Sequence, residues 1–331
     1  MNRRDFLKAS SVSAVAAAAG LSLASAKPAR AQGTQTFYMV TFVSGIDYWK
    51  DCYRGMEDAA AALGISTVYT GTPENDITAQ VRVLEEVIGQ QPDGILLTVI
   101  NPDGLRATID AAIEAGIPLV TFDADSPLSK RYSFVGTGNY YAGVVAARWL
   151  GERLGGSGRV AISSVAAQLN HVQRRQGFID TLAAEYPGVT TSDDLIVDGQ
   201  NNSTIAAQGM SAVLQGNPDI TGIFATDASS GVGVGQAVRE AGLGDQVTII
   251  AFDYDEGTLD LIDNGQLGAT LAQGTWQMGF WGTQMLYAVR NSMIQSVSDW
   301  QAAGISPLPP NVDTGVVVIT AENSQYWRSG S

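Results

Sequence analysis

The chain has 331 residues and a formal net charge of −14; its first 31 residues carry five basic and one acidic side chains, so the remainder carries −18. This dispersed acidic balance argues against binding to nucleic acid or to an anionic membrane surface. Cys52 and His171 are each the single residue of their type, which excludes an intramolecular disulfide and a multi-histidine metal site. No cofactor motif stands in the sequence, and we expect no cofactor and no metal.

The first 31 residues predict an export signal. Arg3 and Arg4 begin a twin-arginine motif, an Ala-rich apolar stretch follows over residues 12–23, and Ala29-Arg30-Ala31 fits a cleavage site. The apolar stretch is too short to anchor the chain, because a membrane helix needs about 20 apolar residues. We therefore expect residues 1–31 to be removed, and the mature chain to lie free in the periplasm without a lipid anchor.

From residue 37 onward, apolar strand patterns alternate with helical patterns. The first series has predicted strands over residues 37–43, 65–69, 94–100 and 117–122, with helices over 48–63 and 77–88 and a third that ends at 115. The second series has predicted strands over 160–164, 195–197, 222–225, 247–251, 269–272 and 315–319, with helices over 140–154, 170–184, 204–214, 231–241, 258–263 and 276–291. Such alternation predicts an α/β protein of two similar lobes, each a parallel doubly wound sheet flanked by helices, joined near residues 136–138.

Polar and aromatic residues follow the predicted strands, where open parallel sheets bind their ligands. These candidate ligand-binding residues are Asp47, Tyr48, Trp49, Asp123, Asp125, Asn170, Arg174, Asn201, Asp227, Asp253 and Gln273. Carboxylate, amide and guanidinium groups bond adjacent hydroxyls with fixed geometry, and aromatic rings cover weakly polar C–H faces. The pattern therefore indicates a cleft for a small, neutral, polyhydroxylated ligand.

Several of these residues also have a purely structural interpretation. An Asp that follows a strand is often the N-cap of the next helix, and Asn170 fits that role as well. Tyr48 and Trp49 could pack beneath the first helix, and Arg174 could pair with an acidic surface residue. The sequence leaves these alternatives open.

Four segments in their order and spacing resemble the periplasmic sugar-binding proteins of the ribose-binding type, whose fold is shared by the ligand domain of LacI-like repressors. The segments are Asn170-x-x-x-Arg174-x-x-Gly177-Phe178, Asn217-Pro218-Asp219-Ile220-x-Gly222-Ile223-Phe224-Ala225, Ala251-Phe252-Asp253 and Ala269-Thr270-Leu271-Ala272-Gln273. The resemblance covers essentially all of the mature chain. It implies a cleft between two lobes that close about a three-strand hinge, here near residues 137–139, near 273–275 and before 315.

The resemblance also implies roles for individual residues. The implied sugar contacts are Asp123, Arg174, Asp227, Asp253 and Gln273, with Tyr48 and Trp49 on the two faces of the ring. The chain departs from ribose binders at Ile46-Asp47, where they have Asn-Pro, and at Asp123-Ala124-Asp125, where they have Asp-Arg. We therefore expect another pentose, a hexose or a sugar alcohol rather than ribose.

The resulting prediction is a monomeric substrate-binding protein, not an enzyme, that delivers its sugar to an inner-membrane ABC importer. The first lobe is predicted to comprise residues 33–138 and 274–295, and the second lobe residues 139–273 and 296–331. One alternative is a periplasmic glycoside hydrolase that uses two of the carboxylates as acid and base. Another is a receptor that presents its sugar to a chemoreceptor or a sensor kinase.

Overall fold

The computed structural model describes residues 34–166, 168–297 and 299–328. The signal peptide predicted over residues 1–31 lies outside the described residues. Across the described ranges, no helix combines the length and the apolar character that a membrane crossing requires.

Strands and helices alternate along the described chain. The strands are β1 Thr36–Thr41, β2 Ser66–Gly71, β3 Gly94–Leu97, β4 Leu119–Phe122, β5 Ser133–Gly136, β6 Ser157–Ser164, β7 Gly188–Thr190, β8 Ile196–Asp198, β9 Gly222–Ala225, β10 Thr248–Phe252, β11 Ala269–Gln273, β12 Asn311–Asp313 and β13 Val316–Ile319. The helices are α1 Tyr48–Leu63, α2 Ile77–Gly89, α3 Pro102–Glu114, α4 Asn139–Arg153, α5 Leu169–Glu185, α6 Ser203–Gly216, α7 Ala228–Glu240, α8 Glu256–Asp263 and α9 Thr275–Arg290.

The strands form two sheets, which confirms the predicted α/β class. The first sheet has the order β12-β5-β4-β3-β1-β2 and is parallel throughout. The second has the order β13-β11-β10-β9-β6-β7, with β8 also paired to β6, and its strand pairs are parallel except for β11 and β13. The carboxyl ends of the parallel strands therefore form one edge of each sheet, where a ligand is expected.

Helices cover both faces of each sheet, because alternate side chains of a strand point to opposite faces. In β1, Phe37 and Met39 belong to the core that α1 and α9 complete, whereas Val40 belongs to the core with α2 and α3. In β6, Ile162 packs with α4 and α5, and Ala161 packs with α6, α7 and α8. Each lobe thus has its own pair of apolar layers and a rigid sheet between them.

The chain passes between the two sheets three times, as the three-strand hinge requires. The crossings are residues 137–138, Gly274 and residues 314–315. Asp313 joins two of them, because its Oδ1 accepts hydrogen bonds from the backbone N–H groups of Gly138 and Gly315 at 2.7 and 2.8 Å. After the first crossing α4 packs on α5, and after the second crossing α9 packs on α1.

The strand β12 corrects the predicted lobe boundaries. Residues 296–331 are predicted to belong to the second lobe, but among those that the structure describes, β12 pairs with β5 in the first sheet, and the chain enters the second sheet at β13. The three residues of β12 follow a pair of prolines, two of them are exposed and one is half-buried, and they carry no strand signal of their own. Contacts with the first lobe support the pairing: Arg131 donates to the Pro310 carbonyl at 2.8 Å and to Asn311 at 3.2 Å, and the Ser133 hydroxyl donates to the Pro309 carbonyl at 2.8 Å.

Candidate functional site

Five of the predicted residues form one hydrogen-bonded network between the two sheets. Tyr48 and Asp123 come from the first lobe, Arg174 and Asp253 come from the second, and Gln273 ends strand β11 just before the second crossing. Each ends a strand, directly follows one or lies in the helix after one, so the parallel topology brings them together. The network is the strongest candidate for a functional site in the described residues.

The two aspartates occupy corresponding positions in the two lobes. Asp123 directly follows β4 and Asp253 directly follows β10, and both have left-handed backbone angles, with φ of 61° and 63°. This conformation is uncommon for residues other than glycine, although Asp and Asn tolerate it best, and such residues concentrate at functional sites. After this turn each carboxylate joins the network, where Asp123 accepts from Tyr48 and Asp253 accepts from Gln273.

In the first lobe, Asp123 accepts two hydrogen bonds. The Tyr48 hydroxyl donates to its Oδ1 at 2.7 Å, and the Thr98 hydroxyl donates to its Oδ2 at 3.4 Å. Burial raises the pKa of Asp123, and the bond from Tyr48 and the charge of Arg174 partly oppose that rise. The carboxylate is thus held in a fixed orientation by neutral donors and faces the cation of the other lobe.

In the second lobe, Arg174 is 2% exposed and its guanidinium lies over the Phe252 ring, with the guanidinium carbon 3.7 Å from the ring centroid. Its Nε donates to Asn139 at 2.8 Å, Nη1 to the Thr226 carbonyl at 2.9 Å and Nη2 to Gln273 at 3.0 Å. A guanidinium has five N–H groups. These bonds use three, so two remain for a ligand.

Gln273 connects the two lobes. Its Oε1 accepts from Arg174 and, at 2.6 Å, from the Thr137 hydroxyl of the first crossing. Its Nε2 donates to Asp253 at 2.7 Å and to the Tyr48 hydroxyl at 3.0 Å. Both amide donors and both acceptor positions are therefore used, and the side chain has one defined orientation.

Charge is concentrated in this network. One buried cation, Arg174, faces the carboxylates of Asp123 and Asp253. Burial raises the pKa of Asp253 to about 6, and the positive charge of Arg174 and the bond from Gln273 keep it from rising further. Carboxylates in such a setting gain from ligand groups that donate hydrogen bonds, and the guanidinium gains from ligand oxygens. A ligand with several hydroxyl groups meets both needs.

The raised pKa of Asp253 makes the stability of the ligand-free protein depend on pH. Between the ordinary value of 3.8 and about 6, the folded protein binds a proton that the unfolded chain has lost. The contribution of protonated Asp253 to the stability is therefore complete below pH 3.8, the ordinary pKa, and is lost as the pH rises through about 6. From about pH 4 to about pH 7, we expect the free energy of unfolding to fall by about 2 kcal/mol more in the wild type than in Asp253→Asn. Urea unfolding across this range measures the difference, and equal pH profiles would contradict it.

Two residues of the predicted aromatic and acidic segment lie outside the network. The Trp49 indole is 2% exposed, packs edge-on against Phe42 and Phe122, and donates to the Phe42 carbonyl at 2.9 Å. It is a core residue here and not one of two flat walls. The Asp47 side chain is exposed and pairs with Lys50 at 2.6 Å.

Asp125 is also separate from the network. Both of its oxygens accept from the Arg131 guanidinium, and Thr121 donates to it at 2.6 Å. The two charged side chains are 7% and 15% exposed. Asp125 is thus paired with Arg131 and not with Arg174. Through Arg131 it helps to hold the β12 segment to the first lobe.

The remaining predicted residues lie near the carboxyl ends of the second sheet without joining the network. Asp227 is buried and caps α7, accepting from the Ser230 backbone and hydroxyl at 2.9 and 2.5 Å. Asn170 is half-buried in the first turn of α5, and Asn201 is exposed in the loop after β8. Contact between any of these three residues and a ligand stays a prediction.

The network also contains residues that the sequence did not predict as ligand-binding residues, which are Thr98, Thr137, Asn139, Thr226 and Phe252. Two of them stand one position before a predicted residue, as Thr226 precedes Asp227 and Phe252 precedes Asp253. Thr226 acts through its backbone carbonyl, which also lies 3.1 Å from Nδ1 of His171. The only sequence signal for these two residues was their position at the end of a strand, because their residue types do not indicate a binding role.

Comparison with known proteins gives a consistent result. Residues 37–292 match the family model described as periplasmic binding protein domain, and residues 1–20 match that of the twin-arginine translocation pathway signal sequence. The xylose/arabinose-binding protein of Sulfolobus acidocaldarius is 28% identical over 294 residues, which is 84% of this chain and 69% of that protein. The ribose import binding protein of Bacillus subtilis is 26% identical over 75% of this chain and 80% of its own length.

Two solved structures have a higher sequence identity to this chain than these two relatives do. The sugar-binding protein of a sugar ABC transporter from Bacillus halodurans is 44% identical, with a TM-score of 0.85 over 89% of this chain and 100% of that one. An arabinose-binding protein from Geobacillus stearothermophilus is 41% identical, with a TM-score of 0.83 over 90% of this chain and 100% of that one.

Proposed function

Because this chain belongs to the periplasmic binding protein domain family, we propose that it captures a neutral monosaccharide between its lobes and delivers it to an ABC importer. The twin-arginine signal directs the protein to the periplasm. The protein acts as a monomeric receptor and not as an enzyme. The similar proteins named above are sugar-binding proteins, which supports this role.

The observation that carries the proposal is the buried network shared by both lobes. Asp123 supplies acceptors from the first lobe, and Arg174 and Asp253 supply a donor and an acceptor from the second. A sugar bound there contacts both lobes at once. Since only the closed form offers all of these contacts, the sugar stabilises closure by its differential affinity for that form.

We take an aldopentose as the first candidate ligand. The relative from Sulfolobus acidocaldarius is a xylose/arabinose-binding protein, and the structure from Geobacillus stearothermophilus is an arabinose-binding protein. The site carries two buried carboxylates for one arginine, which disfavours sugar acids and sugar phosphates because a further anion would be repelled. A neutral pentose supplies hydroxyl donors for the carboxylates and oxygens for the guanidinium.

Thermal and urea unfolding with L-arabinose, D-xylose, D-ribose, D-galactose and xylitol tests the proposal. The cognate sugar, at about 100 times its Kd, is expected to raise the free energy of unfolding by about 2.7 kcal/mol. Two measurements separate binding from hydrolysis. The sugar should be recovered intact from the protein, and an aryl arabinoside should not be cleaved. If no sugar or polyol stabilises the protein, the carbohydrate assignment is wrong.

A further inference from the structure

The orientation of Arg174 depends on a residue from a different helix. Arg174 lies in α5, but its Nε–H donates to the side-chain oxygen of Asn139, the first residue of α4, at 2.8 Å. Both side chains are buried, at 2% and 8% exposure. We propose that Asn139 is a positioning residue, whose side-chain oxygen holds the Arg174 guanidinium in the orientation in which it meets the sugar; this rests on the proposed function.

The backbone geometry makes this contact a consequence of how α4 and α5 cross. A Cβ added at Gly143 would lie 2.0 Å from the Arg174 carbonyl oxygen, and one added at Gly177 would lie 2.0 Å from the Tyr140 carbonyl oxygen. The two helices therefore touch backbone to backbone at a pair of glycines. Asn139 stands one turn before Gly143, and Arg174 one turn before Gly177, so the same crossing sets the distance between them.

The three hydrogen bonds of Arg174 fix its plane from three directions. Thr226 and Gln273 hold the two terminal nitrogens, and Asn139 holds the nitrogen nearest the aliphatic stem. Without the Asn139 oxygen, the buried Nε–H would lose its partner, which is costly in a site that excludes water. The guanidinium would relieve that cost by turning over the Phe252 ring, and its two remaining N–H groups would leave their alignment with the ligand.

Asn139 also links the arginine to the hinge. It directly follows the first crossing, residues 137–138, and Thr137 of that crossing donates to the same Gln273 oxygen that Arg174 uses. The crossing thus supplies one partner to the arginine and another to the glutamine. A change in this crossing that moves Asn139 therefore turns the sugar-binding cation as well.

A double-mutant cycle tests the positioning role. Asn139→Leu is expected to raise the Kd for L-arabinose, measured by calorimetry, about tenfold. In an Arg174→Lys background, which lacks the Nε–H group, the same change should have less than a twofold effect. Asn217→Leu is the matched control, because Asn217 is half-buried in the same lobe and donates to the Val213 carbonyl at 2.9 Å at the far end of α6. An undiminished tenfold effect in the Arg174→Lys background would overturn the proposal.

A second measurement needs no ligand. The Arg174 Nε–H should give a slowly exchanging NMR signal, assigned by its absence in Arg174→Lys. We expect Asn139→Leu to accelerate its exchange with water at least tenfold, whereas Asn139→Asp, which keeps the acceptor oxygen, should preserve the protection. Unchanged exchange in Asn139→Leu would overturn the proposal. If the wild type binds no sugar, the proposed function fails, and this exchange measurement still decides the role of Asn139.

Discussion

Arg174→Ala is expected to weaken L-arabinose binding by about 30-fold or more. The change removes the two N–H groups available to the sugar, leaves the Asn139 side-chain oxygen without its donor, and removes one of the two hydrogen bonds to the Gln273 side-chain oxygen. It also leaves the buried carboxylates without a cation. Truncation of one partner in a buried, charged and hydrogen-bonded group costs about 2–5 kcal/mol, and each 1.4 kcal/mol corresponds to a factor of ten in Kd.

Arg148→Ala is the matched control for this prediction. Arg148 lies in α4 of the same lobe, but it is 47% exposed and pairs with Glu185 at the surface. Exposed ion pairs contribute about 0–1 kcal/mol, so the control should leave the affinity unchanged and the stability nearly so. Calorimetric titration of both variants gives the comparison. An Arg174→Ala protein that is folded and binds L-arabinose within threefold of the wild type would remove this residue from the site.

Gly279→Ala is expected to destabilise the first lobe by about 3 kcal/mol. A Cβ at Gly279 would lie 1.8 Å from the Cys52 carbonyl oxygen, and one at Gly55 would lie 2.0 Å from that of Trp276. The helices α1 and α9 thus cross backbone to backbone, as α4 and α5 do in the other lobe. Because the added carbon would meet backbone atoms, which cannot rotate away as a side chain can, the two helices must separate. Overpacking of this kind lowers the free energy of unfolding by about 1–3 kcal/mol or more.

Gly89→Ala provides the control, because Gly89 ends α2 and has no atom within 4 Å of the added carbon. It should be neutral or stabilising by up to about 1 kcal/mol, since alanine loses less backbone freedom on folding. Urea denaturation of both variants measures the free energy of unfolding. A Gly279→Ala protein as stable as the Gly89→Ala protein would contradict the close crossing.

The architecture was predictable because hydrophobic periodicity reports which face of an element is buried. The apolar run at residues 94–100 predicted a strand covered on both faces, and β3 occupies its first part. Three strands were missed, namely β5, β7 and β12, each three or four residues long. Elements this short contain too few residues for a period, and their pairing is set by neighbours distant in the sequence.

The site was partly predictable because strand ends can be located in a sequence and side-chain directions cannot. Tyr48 and Trp49 are adjacent on α1, about 100° apart around the helix axis, so their rings point in different directions and meet edge-on, with centroids 4.8 Å apart. Trp49 lies on the same stripe as Cys52 and Met56, at i, i+3 and i+7, and that stripe is the buried face. The apolar positions of the helix predicted over residues 48–63, continued back to its first turn, would have included Trp49 in the core.

Other site features carried no signal in residue type. The Thr226 carbonyl accepts from Arg174, and any residue at that position offers the same backbone oxygen. Asp125 is a predicted site residue because it follows the strand predicted over residues 117–122, and nothing in the sequence identifies its partner Arg131, six positions further along. Such pairings depend on how a loop folds back, which periodicity and motifs do not determine.

A crystal structure of the protein with L-arabinose tests the central claim most directly, namely that the network between the lobes is the sugar-binding site. The sugar is expected between the two sheets, with its oxygens about 2.7–3.2 Å from the Arg174 guanidinium and from the carboxylates of Asp123 and Asp253. Arabinose bound elsewhere, with these three side chains still bonded only to protein groups, would contradict the claim.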